Sequence, residues 1–472
     1  MKKSLLMTTA LVAAFSATNV CAEDWTISSK ETITDELISK DNVTIATDGD
    51  ITISGNNSGI ISNGNFTMED GSLTASSNGG SADTGVFVRD ENSSATIKNG
   101  TINLTEARIA KGEEDTDTTG DVNISGGKIT LNNQAYIEMY DTNTGSVNLS
   151  GGELNINDNS GILLDGANNF MMTGGTLTAT SNGNSADTGV FVKGDGADIN
   201  IQDGDINLTD SRIYKGNDTA TSGDINISGG NITLNKNAYI EMRKENTGNV
   251  NMTGGKLVLN ENSGLLLNTN DNQEIDGNAI KLIVNGDDAT ITANGSNQIS
   301  GDIDFTKGTI TVANGANLTS GDIAMKSENT KIDLSGKLDT NVSGSGNLCF
   351  KNSAANISGN VTGSNLTFEA DHSLSKAIGG TISNITALNV RKGTLTYDKD
   401  TGSIGNVSVA GGAGLDIGTN KLTATTVDFA DNSTLGLKVA SADNYGQINA
   451  NTIKIGNDTT MKVTLAVSYT HL

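Results

Sequence analysis

Asp121-Val122-Asn123-Ile124-Ser125-Gly126-Gly127-Lys128-Ile129-Thr130-Leu131 has apolar residues at every second position on both sides of a Gly-Gly pair. Alternation with a period of two is typical of β-strands, whose successive side chains point to opposite faces. The Gly-Gly pair provides the positive φ that a tight bend between two strands needs. This stretch therefore predicts a strand–turn–strand unit, with Val122, Ile124, Ile129 and Leu131 on the apolar side.

The same unit recurs through the first half of the chain. Its turn glycines are Gly49, Gly71, Gly100, Gly127, Gly152, Gly175, Gly204, Gly230 and Gly255. They are separated by 22, 29, 27 and 25 residues and then by 23, 29, 26 and 25, so four units form one longer repeat. The longer repeat is also visible directly, because SADTGVFV at residues 81–88 returns at 185–192 and AYIEM at 135–139 returns at 238–242.

A unit of about 26 residues is the length of one solenoid coil. One such coil cannot bury its apolar side alone, whereas stacked coils form a continuous core. We therefore predict an all-β fold, a right-handed parallel β-helix of about 17 coils over residues 23–466. A β-propeller is disfavoured because its blades need about 40 residues or more. The absence of proline agrees with uninterrupted strand ladders.

The domain organisation follows from the repeat. Residues 23–270 are predicted to form the regular β-helix, with four coils in each repeat of about 103 residues, and residues 23–42, which include Trp25, to cover its first coil. Residues 271–466 are predicted to form a second, less regular solenoid or stem. The tail at 467–472 resembles translated adapter read-through, so we expect the natural chain to continue beyond Val467.

The N-terminus predicts export. Lys2 and Lys3 precede an apolar run at residues 5–15, and Val20-Cys21-Ala22 forms the predicted cleavage site of a signal peptide at residues 1–22. The apolar run is too short to span a bilayer as an anchor. A lipoprotein signal at Cys21 is disfavoured, because Val20 lies where that signal has a small residue.

The charge of the chain limits the classes of partner. Removal of the two lysines in the signal peptide takes the net charge from −25 to −27. Such an acidic chain provides no basic patch for nucleic acid and does not favour anionic lipid. Cleavage would also leave Cys349 as the only cysteine, which excludes an intrachain disulfide. Its apolar neighbours predict a buried structural thiol.

These features together resemble the passenger region of a type V autotransporter, a surface-exposed or secreted β-helix. The resemblance rests on the signal peptide, the coils rich in Gly, Asn and Thr, and stem-like stretches such as KGTLTY at residues 392–397 and VAGGAGLDI at 409–417. It implies a C-terminal outer-membrane barrel, whose alternating lipid-facing strands the sequence lacks. A truncated gene and a freely secreted solenoid both explain this.

Few residues are candidates for catalysis. His372 is the only histidine before the tail, and no Gly-x-Ser-x-Gly motif accompanies it, so we expect a solvated surface histidine. Tyr136 and Glu138, with their copies Tyr239 and Glu241, are expected to point outward in a solvated stripe. The two glutamates would lie roughly 19 Å apart, too far for a glycosidase pair.

Basic residues next to acidic ones are the most enzyme-like feature. Such groups comprise Arg108 and Lys111 before Glu113, Glu114 and Asp115, and Arg212 and Lys215 before Asp218. A polysaccharide lyase of the β-helix type would use a Lys or Arg base beside aspartates that bind Ca²⁺. This motif, however, occurs twice, in what we interpret as a surface loop. Catalytic sites are usually single, so a surface role is favoured.

Two short motifs are weaker. Gly411-Gly412-Ala413-Gly414-Leu415-Asp416 begins like a Ca²⁺-binding nonapeptide, but Gly418 occupies an apolar position, so a stem turn is expected. Lys193-Gly194-Asp195 resembles an integrin-type tripeptide that occurs readily by chance.

The sequence thus predicts an exported, non-enzymatic surface protein that acts in adhesion, self-association or shielding. We expect no catalytic residue, cofactor or metal site. The expected partners are glycans, neighbouring or host cell surfaces or a second copy, with the outer membrane reached through a barrel outside this sequence. The alternative is a carbohydrate-active enzyme such as a polysaccharide lyase.

Overall fold

The structure, a computed structural model, describes residues 23–77, 84–113, 116–183, 187–217, 219–270, 274–277 and 279–466. These residues wind through about 18 stacked turns, with one helical turn at Leu374–Ala377 that Ser373 caps. The strand ladders are parallel except for the hairpin between Thr434–Ser441 and Asn444–Tyr445. The predicted parallel β-solenoid is therefore confirmed.

Each coil has three sides, which we call face 1, face 2 and face 3 in chain order. The strands that lie on face 1 alone are Trp25–Ile27, Val43–Ile45, Phe66–Met68, Ala95–Ile97, Val122–Ile124, Ser146–Leu149, Ile225–Ile227, Val250–Met252, Ile323–Met325, Val342–Gly344, Val361–Thr362 and Ile382–Ser383. Those on face 2 alone are Lys30–Thr34, Asp50–Ser54, Ser72–Ser76, Thr101–Thr105, Lys128–Asn132, Glu153–Asn157, Asn231–Asn235, Lys256–Leu259, Thr330–Leu334, Asn347–Phe350, Asn365–Phe368 and Ala387–Val390.

Longer strands bend across the corner and belong to both faces. They are Asn169–Thr180, Ile199–Thr209, Leu282–Ala293, Ile303–Val312, Ser403–Val409, Lys421–Phe429 and Gln447–Ile455. Through them the ladders of faces 1 and 2 merge into one 31-stranded sheet.

Face 3 is a separate 14-stranded sheet. Its strands are Leu37–Lys40, Gly59–Ser62, Gly85–Val88, Arg108–Lys111, Tyr136–Met139, Gly161–Leu164, Gly189–Val192, Arg212–Lys215, Tyr239–Arg243, Gly264–Thr269, Ser296–Ile299, Asn317–Ser320, Lys337–Asp339 and Asn356–Ile357. After it, a third sheet occupies the same position in the coil, built from His372–Ser373, Thr394–Thr396, Gly414–Asp416, Thr434–Ser441, Asn444–Tyr445 and Thr460–Leu465.

The core runs along the axis of the solenoid. Val122, Ile124, Ile129 and Leu131 are all buried, as predicted, on two neighbouring faces. The same inward positions of successive coils stack in register, so the buried side chains form one continuous apolar cluster. Parallel strands above and below each coil satisfy its backbone hydrogen bonds, which is why a short three- to five-residue strand suffices here.

The coil length changes along the chain. Side-chain hydrogen bonds between adjacent coils join residues 25 or 26 positions apart near Asn148 and Asn226, but only 18 or 19 apart near Asn341 and Asn365. The average is about 23 residues, close to the predicted 26. The later coils are shorter because their corner segments are shorter.

Residues 23–42 were expected to cover the first coil, but most of them form that coil. Residues 25–40 form one strand on each of the three faces, so this segment is itself the first coil. Trp25 lies half-buried in its face 1 strand, which pairs in parallel with Val43–Ile45. The solenoid therefore begins almost at the first described residue.

Candidate binding surfaces on the flanks of the solenoid

Face 3 contains most of the residues singled out in the sequence. Arg108 and Lys111 belong to the strand Arg108–Lys111, and Arg212 and Lys215 to the equivalent strand one repeat later. The expected surface loop was therefore wrong: the parallel ladder with the neighbouring strands holds both segments extended. The expected acidic neighbours Glu114, Asp115 and Asp218 lie outside the described residues.

The two arginines point outward and form ion pairs across the ladder. Arg108 bonds to Glu138, and the Nη1 atom of Arg212 lies 2.6 Å from a carboxylate oxygen of Glu241. Thr269 also donates a hydrogen bond to Glu241 at 2.9 Å. The side chain of Glu241 is only 1% exposed. The expected solvated acidic stripe was therefore wrong, since both carboxylates are paired and largely covered.

Aromatic side chains share the outer side of face 3 with these ion pairs. The hydroxyl of Tyr136 donates to the carbonyl of Asn159 at 2.9 Å. Burial raises the pKa of Tyr136 and of its copy Tyr239, so both phenols stay neutral. The rings of Phe191 and Tyr214 pack with centroids 6.1 Å apart. Here the outer side of face 3 thus consists of packed rings and paired charges.

Lys111 and Lys215 point into the solenoid, because they lie three positions after the outward arginines in an alternating strand. Both are fully buried. The Nζ of Lys111 donates to the carbonyl of Asp90 at 2.9 Å, and that of Lys215 to the carbonyl of Gly194 at 3.0 Å. Desolvation lowers the pKa of each lysine from 10.5 to about 8. Neither amine reaches the outer surface.

His372 lies in the interior, contrary to its expected place on the surface. It is 8% exposed, and its ring meets the stacked rings of Phe350 and Phe368 edge-on at 5.8 and 5.7 Å. Its Nε2 lies 2.7 Å from the carbonyl of Ala355, and its Nδ1 accepts from the backbone N–H of Ser373. The histidine therefore fills the core where the third sheet begins.

The remaining candidates have structural partners. Cys349 is buried, as predicted, and burial raises the pKa of its thiol. Lys193 pairs with Asp165 at 3.0 Å, and the carboxylate of Asp195 accepts hydrogen bonds from Ser222. Residues 411–416 form a turn followed by the strand Gly414–Asp416. Within the described residues, no three His, Cys, Asp or Glu side chains are close enough to share a metal ion.

Face 2 presents a surface that the sequence analysis did not single out. Two adjacent columns of outward side chains run along it, and we call them together the hydroxyl–amide strip. The middle column is Thr32, Thr52, Thr74, Asn103, Thr130, Asn155, Thr178, Asn207, Thr233, Val258, Thr292 and Thr311. The edge column is Thr34, Ser54, Ser76, Thr105, Asn132, Asn157, Thr180, Thr209, Asn235, Asn260 and Asn294.

Every side chain of the hydroxyl–amide strip is half-buried or exposed, and none is charged. The asparagines bond from coil to coil: the amide of Asn157 donates to Asn132 at 3.0 Å, and those of Asn260 and Asn294 donate to the preceding amide at 2.9 Å. The signal was present in the sequence, in the polar positions between the inward apolar residues. The apolar positions alone do not reveal this surface.

Comparisons with protein families, with characterised proteins and with solved structures found no match to this chain. Among the described residues, no helix has the length and apolar character needed to cross a membrane.

Proposed function

We propose that this chain is an exported surface solenoid, similar to an autotransporter passenger, that binds partners along its flank without covalent chemistry. Its roles would be adhesion, self-association or shielding of the cell surface. From the resemblance in sequence we further propose that the solenoid is either held at the outer membrane by a barrel outside this sequence or secreted freely.

The hydroxyl–amide strip carries this proposal. Its edge column presents a hydroxyl or amide side chain in eleven successive coils, from Thr34 to Asn294, and its middle column does so except at Val258. A repeated surface suits an extended partner, which it contacts through many weak interactions that add by multivalency. An enzyme needs instead one group of side chains that differs from its surroundings.

The placement of the basic residues argues against the alternative, a polysaccharide lyase. Such an enzyme needs a Lys or Arg that reaches the substrate and accepts a proton from it. Lys111 and Lys215 are buried and donate to backbone carbonyls, while Arg108 and Arg212 are engaged with glutamates. All four side chains are thus bonded to other groups of the protein.

Two assays separate the alternatives. The mature chain from Glu23 onward is coupled to beads, and their aggregation is followed as salt rises. Because the chain carries a charge of −27, screening should relieve the repulsion between coated surfaces and aggregation should increase. In parallel, acidic polysaccharides with and without Ca²⁺ should remain uncut. Release of unsaturated sugars that the change Lys215→Ala abolishes would show a lyase instead.

A further inference from the structure

We infer that the hydroxyl–amide strip of face 2 binds a neutral, unbranched, extended polysaccharide. This inference rests on the proposed binding function and adds to it the surface and the chemical class of the ligand. Three properties of the strip lead to it: its lack of charge, its regular length and its prearranged hydrogen-bonding groups.

The lack of charge selects a neutral ligand. The mature chain has a net charge of −27, yet the two columns of the strip contain no ionisable side chain. Charged residues do occur in the next column of the same face, where Lys128 pairs with Glu153 at 2.9 Å. The field of the whole protein repels a polyanion, and the strip has no cation to attract one. A cationic ligand finds no carboxylate there either.

The length of the strip selects a regular polymer. Adjacent coils lie about 4.8 Å apart, so eleven coils give a row of roughly 50 Å. The strand ladders keep consecutive side chains in register across this distance. A compact partner would touch only a few coils, whereas a polymer that is straight and repeats its chemistry can contact each of them.

The hydrogen-bonding groups of the strip are prearranged. Threonine has few rotamers on a strand, because its Cβ is branched. The asparagine ladders fix the amides: Asn260 accepts from Asn294 and donates to Asn235, which leaves one amide hydrogen and one lone pair of its oxygen for a ligand. Prearranged groups lose little entropy on binding. Donors and acceptors in alternation match the hydroxyl groups of sugars.

A pull-down with insoluble polysaccharides tests the inference on the mature full chain. The probes are cellulose, chitin and β-mannan as neutral polymers, with polygalacturonate and alginate as acidic ones. The strip variant carries Thr130→Glu and Thr233→Glu. The control variant carries Thr44→Glu and Thr96→Glu, which change outward threonines at the centre of face 1 strands that are not direct neighbours in the ladder. None of the four threonines donates a side-chain hydrogen bond in the ladder, so both variants should fold.

We expect the unmodified chain to be retained on at least one neutral polymer and on neither acidic one. The strip variant should bind about ten-fold more weakly, a loss of about 1.4 kcal/mol, because two hydroxyl donors of the strip are replaced by carboxylates. The control variant should bind normally. Absence of binding to all three neutral polymers, retention on an acidic one, or equal loss in both variants would overturn the inference.

The same proteins distinguish self-association and a wider failure. If sedimentation shows a dimer of the unmodified chain that only the strip variant loses, then the strip binds a second copy and the inference is wrong. If beads aggregate but no polysaccharide binds, the proposed adhesive function stands and only the polysaccharide ligand is lost. Cleavage of a polysaccharide would instead contradict the proposed function itself.

Discussion

Arg212 and Lys215 show how one strand separates two basic side chains. They lie three positions apart, so the alternation of the strand sends the arginine outward and the lysine into the core. Outside, the arginine pairs with Glu241, while inside the ammonium donates to the carbonyl of Gly194. A charge in the core without a paired carboxylate is costly, which is why the pKa of the lysine falls.

The buried lysines predict a pH dependence of stability. Below about pH 8 each ammonium is charged in both states, and the burial penalty is fully present. Above this value Lys111 and Lys215 lose their protons in the folded protein, while the unfolded chain keeps them until about 10.5. The free energy of unfolding should therefore rise by about 1 kcal/mol for each lysine between about pH 7.5 and about pH 9.

Urea unfolding across this pH range measures the effect. The double variant Lys111→Met with Lys215→Met should lose the rise. The variant Lys128→Met, which removes an exposed lysine, should keep it. An unfolding midpoint that changes with pH in the same way in both variants would show that these two lysines are not its source.

Some residues were predictable from the sequence and others were not. The apolar strand around Cys349 predicted its burial correctly, because the flanking residues Leu348 and Phe350 fix the environment. His372 has polar neighbours in the sequence, and its burial depends on Phe350 and Phe368 from earlier positions of the chain. Glu241 likewise depends on Arg212 in the preceding coil. Contacts between coils with no fixed spacing cannot be read from a local pattern.

At the scale of the element, the Gly-Gly turns place the strands of faces 1 and 2. Gly152 has a φ of +76°, and a Cβ on it would lie 2.6 Å from the backbone of Gly126 in the coil below. Two constraints therefore act on this glycine, its backbone conformation and the close approach of the next coil. This is why alternation and glycine spacing together were sufficient to predict these two faces.

The change Gly152→Ala should destabilise the protein more than Gly196→Ala. The two glycines have nearly the same φ, +76° and +72°, but a Cβ on Gly196 has no atom within 4 Å. The strain of a left-handed alanine, about 1–2 kcal/mol, is common to both changes. The clash at Gly152 should add about 1–3 kcal/mol. Thermal unfolding of the two variants measures the difference, and equal losses would show that the coils can separate locally without cost.

Face 3 was harder to predict at this scale. Its strands follow corners of variable length, and the segment Arg108–Lys111 carries two positive charges, so its period of two was not recognised. The ladder above and below it decides its conformation, with Ile109 beside Ile137 and Val86 in neighbouring strands. The register of a coil is thus a property of the stack.

At the scale of the whole molecule, stacking converts short strands into a long rod with chemically distinct flanks. Around Arg108 and Arg212 the outer side of face 3 is covered by ion pairs and rings, whereas face 2 presents the uncharged hydroxyl–amide strip. Each coil contacts mainly its neighbours, so the flank keeps its regular spacing over its whole length. The proposed binding of an extended partner depends on this elongated shape.

Small-angle X-ray scattering of the chain from Glu23 onward tests that shape most directly. About 18 turns at about 4.8 Å give a rod of about 85 Å, so the maximum dimension should be close to 90 Å once side chains are included. A compact globular protein with the same number of residues would have a radius of gyration of about 22 Å and therefore a diameter near 60 Å. A maximum dimension of about 90 Å with a rod-like cross-section agrees with the account, and a globular profile of about 60 Å contradicts it.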